Sequence, residues 1–199
     1  MQIRKITDAD LSKVVEIHNS AFQGFFLTQL GSTFLTLYYR SVLHSPQGVL
    51  LGYFEKDELC GFAAATKLAK SFNAGLVRSN LGSYIWAGCK IFIKSPLAIL
   101  RLAKNMTKKG ESVVDDGNYA ELLSIGVSAQ HQREGIGRQL LSALEENLEK
   151  QGIERLSLTT DYYDNEKAIG FYKSLQYRVM YDFITYPNRR MYRMIKTLN

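Results

Sequence analysis

Two glycines, two residues apart, mark a stretch of this sequence that could bind an anion. Gly135 and Gly137 follow an apolar run of strand length that ends in Val127, and they precede a helical pattern. The first amides of a helix have no partner inside it, and its dipole places partial positive charge there. Without a Cβ, this backbone allows a phosphate to approach closely, with Arg133 and Arg138 nearby. The same spacing could instead serve a tight turn, because a short Gly-x-Gly is a weak signal.

The residues that follow do not match two familiar nucleotide-binding motifs. A P-loop ends in Gly-Lys-Ser/Thr, whereas Gly137 is followed by Arg138 and Gln139. A dinucleotide fingerprint needs glycine or alanine three residues after its second glycine, and that position is Leu140. The segment beyond has the period of an amphipathic helix, with glutamates predicted on faces other than the apolar one. The leucines are Leu140, Leu141, Leu144 and Leu148, and the glutamates are Glu145, Glu146 and Glu149.

Two motifs together resemble a known family. Gln132-x-x-Gly135-x-Gly137, between a strand and a leucine-rich helix, resembles the acetyl-CoA signature of the GCN5-related N-acetyltransferase (GNAT) family, Gln/Arg-x-x-Gly-x-Gly/Ala. Downstream, the stretch from Asn165 to Tyr172 resembles that family's Asn-x-x-Ala-x-x-Phe-Tyr helix. The motifs stand in the family's order and cover about the C-terminal two-fifths of the chain. Two motifs in order are far more specific than one.

The resemblance implies a site for acetyl-CoA as acyl donor. It implies that the strand ending in Ile125, Gly126 and Val127 opens away from its parallel neighbour and pairs with the pantetheine arm. Asn165 would bond that arm, beside Ala168, although Asn165 could equally cap its helix. The turn that would take the pyrophosphate consists of Gln132, Arg133, Glu134, Gly135, Ile136, Gly137 and Arg138.

Acetyl transfer to an amine needs an aligned donor, a neutral amine and a proton for the departing thiolate. The resemblance assigns the last task to Tyr172 as general acid, although this side chain could simply pack beside its neighbours. It offers Glu121 as the base that deprotonates the amine, often through water. Asp115, Asp116 and Asp161 are competing candidates, and Glu121 could instead pair with a lysine.

The acceptor pocket is predicted near the first two helices. The segment 22–43 is rich in aromatic residues, and core packing explains most of them. In the resembled family these helices and their link help to form the acceptor pocket, so Phe25, Phe26 and Tyr38 are candidates for lining it. His18, near the end of the first helix, is interpreted as a packing or helix-dipole residue.

The order of elements predicts an α/β (α+β) fold. We expect a GNAT-type mixed, mostly antiparallel sheet of six to seven strands flanked by helices, in one domain over residues 1–199. Thr7 or Asp8 is expected to cap the first helix. The predicted strands cover 2–6, 48–54, 58–66, 119–127, 154–160, 177–184 and 191–196, and predicted helices include 29–42 and 165–175.

A basic insertion at about 67–117 is the main departure from the family. Residues 66–110 contain no Asp or Glu but nine Lys and Arg, which exceed the net charge of +6. We expect two helical pieces, one starting at Pro96. Three interpretations stay open: a lid with solvated lysines, a site for a phosphorylated or nucleotide-linked acceptor, and peripheral contact with an anionic membrane.

Composition predicts a cytoplasmic globular protein. Hydrophobic residues make up 46% and charged residues 22% of 199 residues. Cys60 and Cys89 are far apart and without metal-ligand spacing, so neither a disulfide framework nor a metal is expected. The first residues do not resemble a signal segment. A homodimer is common in the resembled family. Nucleic acid is not expected as a partner, because no recognisable binding motif accompanies the basic stretch.

These observations favour an acetyl-CoA-dependent N-acetyltransferase. The acceptor would be a primary amine of a small molecule, and the insertion favours a bulky, anionic or sugar-linked one. A protein N-terminus, a lysine, a polyamine or an antibiotic stays open as acceptor. The alternative from another class is a non-catalytic acyl-CoA-binding sensor or structural module.

Overall fold

A computed structural model describes residues 1–86, 115–185 and 188–198. Its seven strands form one sheet in the order β1-β2-β3-β4-β5-β7-β6, which confirms the expected fold class. The strands are β1 (Gln2–Lys5), β2 (Gly48–Glu55), β3 (Glu58–Thr66), β4 (Ala120–Val127), β5 (Arg155–Asp161), β6 (Arg178–Thr185) and β7 (Arg189–Thr197). The helices are α1 (Leu11–Ala21), α2 (Phe26–Gln29), α3 (Ser32–His44), α4 (Phe72–Ser79), α5 (Ile136–Glu149) and α6 (Glu166–Ser174).

Within this sheet, β4 and β5 are the parallel pair, and the other recorded pairs are antiparallel. The crossover helix α5 joins β4 to β5, as the connection rule for parallel strands requires. It buries its leucines against one face of the sheet, while α1 and α3 cover the other face. The sheet, including β4 and β5, is therefore packed on both faces.

Local sequence accounts for the start of the chain and the first hairpin. The strand β1 lies at the sheet edge. Thr7 precedes a short 3₁₀ turn, where its backbone amide and hydroxyl both donate to Asp10, at 2.9 and 2.8 Å. The hairpin between β2 and β3 turns at Lys56 and Asp57, whose φ values of 47° and 67° suit a two-residue turn.

One prediction for α5 was wrong. Glu145 was placed on a face away from the apolar stripe, but only 8% of its surface is exposed. Its carboxylate accepts hydrogen bonds from Tyr177 Oη at 2.8 Å and Lys196 Nζ at 2.6 Å. Tyr177 directly precedes β6 and Lys196 lies in β7, so a helical pattern read alone could not include them. The pairing satisfies a charge that burial would otherwise penalise.

The basic insertion is only partly covered by the described residues. Its beginning is helical in α4 and again over 81–86. The predicted helix at Pro96 and most of the basic side chains lie outside the described residues, as does the segment offered for membrane contact. Among the described helices, none combines the length and hydropathy needed to cross a membrane.

Candidate active site

The parallel strands β4 and β5 separate in the middle of the sheet. Their recorded pairing joins 120–122 to 156–158, yet β4 continues to Val127 and β5 to Asp161. A bulge at Leu123 shifts the register against β3 at this same point. Bulges bend a strand and re-aim its side chains. Backbone groups of β4 beyond the bulge are thereby available to pair with an extended ligand.

A cavity of about 450 Å³ lies at this opening. The ends of β4 and β5 form its base, α6 forms one wall, and the link from α1 to α2 forms the other. Three of the predicted cofactor-binding residues line this cavity: Ile125, Asn165 and Ala168. The catalytic candidate Tyr172 lines it as well. The second sequence motif and the strand before the first motif therefore meet at one cavity.

Gly126, near the end of β4, allows close packing against Phe62. A Cβ at Gly126 would lie 3.0 Å from a ring carbon of Phe62, closer than ordinary contact allows. Glycine therefore lets β4 pack closely beneath Phe62. Val127, the next residue, is near the first turn of α5, because a Cβ on Gly137 would lie 4.0 Å from its side chain.

The glycine turn leads directly into α5. Gly135 is the residue before the helix and has a φ of +79°, a conformation that favours glycine. A Cβ on Gly135 would meet nothing within 4 Å, so open space lies next to this backbone. Arg133 also has a positive φ, +71°, and Gln132 and Glu134 flank it on the surface. This geometry leaves the helix N-terminus accessible to an anion.

The other residues of this turn fasten it to the protein. Ile136 is 2% exposed and packs in the core beneath α5. A Cβ on Gly137 would be 3.9 Å from Phe171 of α6, so there is room for only a small side chain. Arg138 donates from Nη2 to Ser174 Oγ at 3.1 Å, which ties α5 to the end of α6.

Asn165 occupies the N-cap position of α6, but its side chain makes no capping bond. Its amide nitrogen donates to Thr160 Oγ1 at 2.6 Å and to the Asp161 carbonyl at 3.2 Å. These bonds fix Asn165 against the end of β5, where the strands have separated. The side chain thus holds the cavity wall in position while lining it.

Tyr172 presents a protonated phenol to the cavity. Burial raises the pKa of Tyr172 to about 12, because the phenolate would lose its hydration. Its ring packs edge-on against Phe171 and Tyr177, with centroids 5.2 and 5.9 Å away. A phenol of this kind remains a proton donor across the whole neutral pH range.

The candidate base Glu121 is paired, and its partner is an arginine rather than a lysine. Arg193 Nη1 donates to Glu121 Oε1 at 2.8 Å and to Ser157 Oγ at 3.1 Å. The competing Asp115 lies 3.8 Å from Arg193 Nε and accepts from the hydroxyls of Tyr119 and Tyr181. Burial acts to raise the pKa of Asp115, but these hydroxyl donors lower it below its usual value.

The other two acidic candidates have different environments. Asp161 lines the cavity and forms a two-point ion pair with Arg189. Asp116 is exposed and accepts the backbone amide of Asn118 at 2.9 Å, so it serves a local turn. Asp161 and Arg189 together add no net charge to the described wall of the cavity.

The aromatic candidates for the acceptor pocket separate into two groups. Phe25 and Phe26 line the cavity, and the Arg189 guanidinium lies 4.8 Å above the ring of Phe25. Tyr38 is not part of the cavity lining; it packs in a cluster with Leu30 and Phe34, beside the cavity residues Phe26 and Leu27.

The structure adds a buried polar chain that the sequence did not reveal. Tyr39 Oη lies 2.6 Å from His18 Nδ1 and 2.8 Å from Ser124 Oγ. His18 and Ser124 both line the cavity, and His18 is only 3% exposed. His18 Nε2 is buried and has no hydrogen-bond partner within the described parts of the chain. The three residues come from α1, α3 and β4, so no local pattern could unite them.

His18 should make the protein sensitive to mild acid. Burial lowers the pKa of His18 from 6.5 to about 4, so the folded state holds it neutral. The depressed pKa contributes stability to the folded state above pH 6.5. As the pH falls toward 4, the free energy of unfolding decreases by up to about 3 kcal/mol. His18→Gln should flatten the pH dependence of the unfolding free energy, measured by urea titration. His44→Gln, at an exposed histidine, should retain the wild-type slope, and identical slopes in both variants would contradict this account.

The separated strands end near an accessible helix N-terminus, and a buried phenol lines the cavity at their opening. The profile of the acetyltransferase (GNAT) family matches residues 11–177. The chain belongs to the GNAT family, and this match extends the resemblance seen in the two C-terminal motifs across the N-terminal helices.

Known proteins agree with this assignment. This chain is 36% identical to the N-acetyltransferase YsnE from Bacillus subtilis over 72 residues, which span 36% of this chain and 48% of that protein. The chain thus matches about half the length of this relative. The solved ribosomal-protein-S18-alanine N-acetyltransferase from Escherichia coli is similar over 100% of this chain and 94% of its own, with a TM-score of 0.63 and 17% identity. Salmonella typhimurium yncA, solved with its cofactor acetyl-CoA, matches at a TM-score of 0.59 and 17% identity, over 100% and 94% of the two chains.

Proposed function

We propose that this protein transfers an acetyl group from acetyl-CoA to the primary amine of a small acceptor. The observation that carries the proposal is the opening between β4 and β5, with Tyr172 on its wall. The accessible N-terminus of α5 lies at the end of the same strand. A thioester on a long pantetheine arm and a pyrophosphate fit this combination better than a ligand with one anionic group.

The residues of the first motif would hold the donor. Backbone groups of Ile125 and Val127 would pair with the pantetheine amides, because β5 no longer occupies that side of β4. The amides after Gly135 would bind the pyrophosphate, with Arg133 and Arg138 beside it. Asn165 would hold the arm from the α6 wall.

The proposed transfer converts an ammonium and a thioester into an amide, a thiol and a proton. The ammonium of the acceptor gives up a proton and the neutral nitrogen attacks the acetyl carbon. A C–N bond forms, the C–S bond breaks, and the sulfur takes a proton from Tyr172. The nitrogen loses its second proton, which restores the Tyr172 phenol through solvent. The net products are the N-acetylated acceptor, CoA thiol and one proton.

Glu121 is the proposed base for the first proton. Its carboxylate is held in place by Arg193, whose Nη1 donates to Glu121 Oε1 at 2.8 Å. Leu122 and Leu158 are the last paired residues before the strands separate, and Glu121 lies one residue before Leu122. It is not part of the cavity lining, so the proton would pass through water.

Glu121→Gln should lower kcat/KM about a hundredfold at neutral pH, because the amine would lose its proton acceptor. The shape of the pH–rate profile should change as well. Both are measured by CoA thiol release once an acceptor is found. Asp116→Asn changes an exposed carboxylate and should leave the rate intact. An unchanged profile in Glu121→Gln would exclude it as the base.

The acceptor proposal rests on the wall of Phe25 and Phe26. Two aromatic side chains favour an acceptor with an apolar or bulky body. The pairing of Arg189 with Asp161 leaves little free charge on the described wall, so a preference for an anionic or sugar-linked acceptor depends on the basic insertion. A panel of amino sugars, amino acids, polyamines and peptides, scored by thiol release, tests the proposal. Donor binding without release on any amine would favour a non-catalytic acyl-CoA sensor.

A further inference from the structure

A second cluster of chemically active side chains lies away from the cavity. Glu55 ends β2, Cys60 lies in β3, and His131 ends the short 3₁₀ turn Ala129–His131 after β4. One potential ligand atom from each of the three lies within 4.8 Å of the other two. The β2–β3 hairpin and the turn after β4 therefore bring an oxygen, a sulfur and a nitrogen donor together.

This donor set suits zinc. Zinc binds cysteine sulfur, histidine nitrogen and carboxylate oxygen at about 2.0 to 2.3 Å, usually with tetrahedral geometry. Such ligands lie about 3.3 to 3.8 Å apart, so small side-chain rotations would bring this cluster into range. Calcium and magnesium prefer oxygen ligands alone, which argues against both.

Two neighbouring groups already orient the donors. His131 Nδ1 lies 3.2 Å from Glu134 Oε2, so a hydrogen on Nδ1 would leave the lone pair on Nε2. Tyr53 Oη donates to Glu55 Oε1 at 3.3 Å. Metal-binding histidines usually donate their other nitrogen to a carboxylate or carbonyl in this way.

The charge around Cys60 also favours a cation. Cys60 is 1% exposed, and the carboxylates of Glu55, Glu58 and Glu134 lie near its sulfur. Lys13 lies 3.9 Å from Glu58, but no lysine or arginine among the described residues pairs with Glu55. Carboxylates thus surround a buried sulfur, an arrangement that suits a cation.

We propose that Glu55, Cys60 and His131 bind one Zn²⁺ ion, with Glu134 orienting His131 and water in the fourth position. On binding, the Cys60 thiol releases its proton to solvent and a sulfur–zinc bond forms. The ion would join the tip of the β2–β3 hairpin to the residue just before the glycine turn, and so stabilise that turn. This inference is independent of the proposed acetyl transfer.

Cobalt(II) titration of the full, reduced and chelator-treated chain tests the site. We expect one equivalent of Co²⁺ to produce the near-ultraviolet band of a thiolate–cobalt bond, and Zn²⁺ to displace it. Cys60→Ser should abolish the band, and His131→Gln should weaken Co²⁺ binding at least tenfold. Cys89→Ser removes the other cysteine and should retain the band and the stoichiometry.

Thermal unfolding gives a second readout. Zn²⁺ should raise the midpoint of the wild type and of Cys89→Ser, because a ligand that binds only the folded state stabilises it. If Cys60→Ser does not fold, His131→Gln takes its place, because its side chain is at the surface. Absence of the cobalt band in the wild type, or a band that survives in Cys60→Ser, would overturn the proposal.

Discussion

Gly135→Glu should weaken acetyl-CoA binding at least a hundredfold, equivalent to about 2.7 kcal/mol. Two effects combine at this position. The φ of +79° strains any residue with a Cβ, and a carboxylate at the start of α5 would repel the pyrophosphate. Equilibrium titration of acetyl-CoA into the variant and the wild type measures the loss.

Gly152→Glu is the matched control for this variant. Gly152 has a φ of +75°, and a Cβ there would also meet nothing within 4 Å, so the two substitutions carry similar strain. It follows the other end of α5 and is not part of the turn before the helix. We expect wild-type affinity in Gly152→Glu. Equal losses in both variants would mean that strain, rather than a phosphate site, explains the effect.

Tyr172→Phe should lower kcat about a hundredfold and leave the affinity for acetyl-CoA nearly unchanged. Removing a positioned general acid usually costs two to four powers of ten in rate, whereas the ring itself would still pack against Phe171. The wild-type rate should show no alkaline fall caused by Tyr172 until close to pH 12, because burial raises its pKa to about 12. Thiol release measured against pH gives kcat and the pH at which the rate falls.

Tyr177→Phe separates this chemical role from packing. Tyr177 is buried next to Tyr172, but its hydroxyl donates to Glu145 on the opposite side, away from the cavity. The variant should lose about 1 kcal/mol of stability and keep its kcat. A normal kcat in Tyr172→Phe would remove the proposed acid.

The sequence predicted best what local motifs contain. The glycine turn before α5 and the motif from Asn165 to Tyr172 are each continuous in the chain, so their spacing alone indicated where they would fold. The parallel pairing of β4 with β5 follows from the crossover helix α5 that joins them. These features depend on periodicity and turn chemistry, which a single sequence carries.

Long-range partners could not be predicted in the same way. Arg193 pairs with Glu121 across 72 positions, and no pattern distinguished it from the lysines that were considered. Tyr39 unites His18 with Ser124 through contacts among three elements. Glu145 was misplaced for the same reason, because its partners Tyr177 and Lys196 lie far along the chain. Such pairings depend on tertiary packing.

Calorimetric titration of acetyl-CoA, compared with ADP, tests the central claim most directly. Both ligands carry a pyrophosphate for the glycine turn, but only acetyl-CoA has an arm that could pair with β4 where β5 has separated. The account predicts one equivalent of acetyl-CoA bound per chain, at least tenfold tighter than ADP. No binding of acetyl-CoA, or equal affinity for the two, would contradict a donor site between these strands.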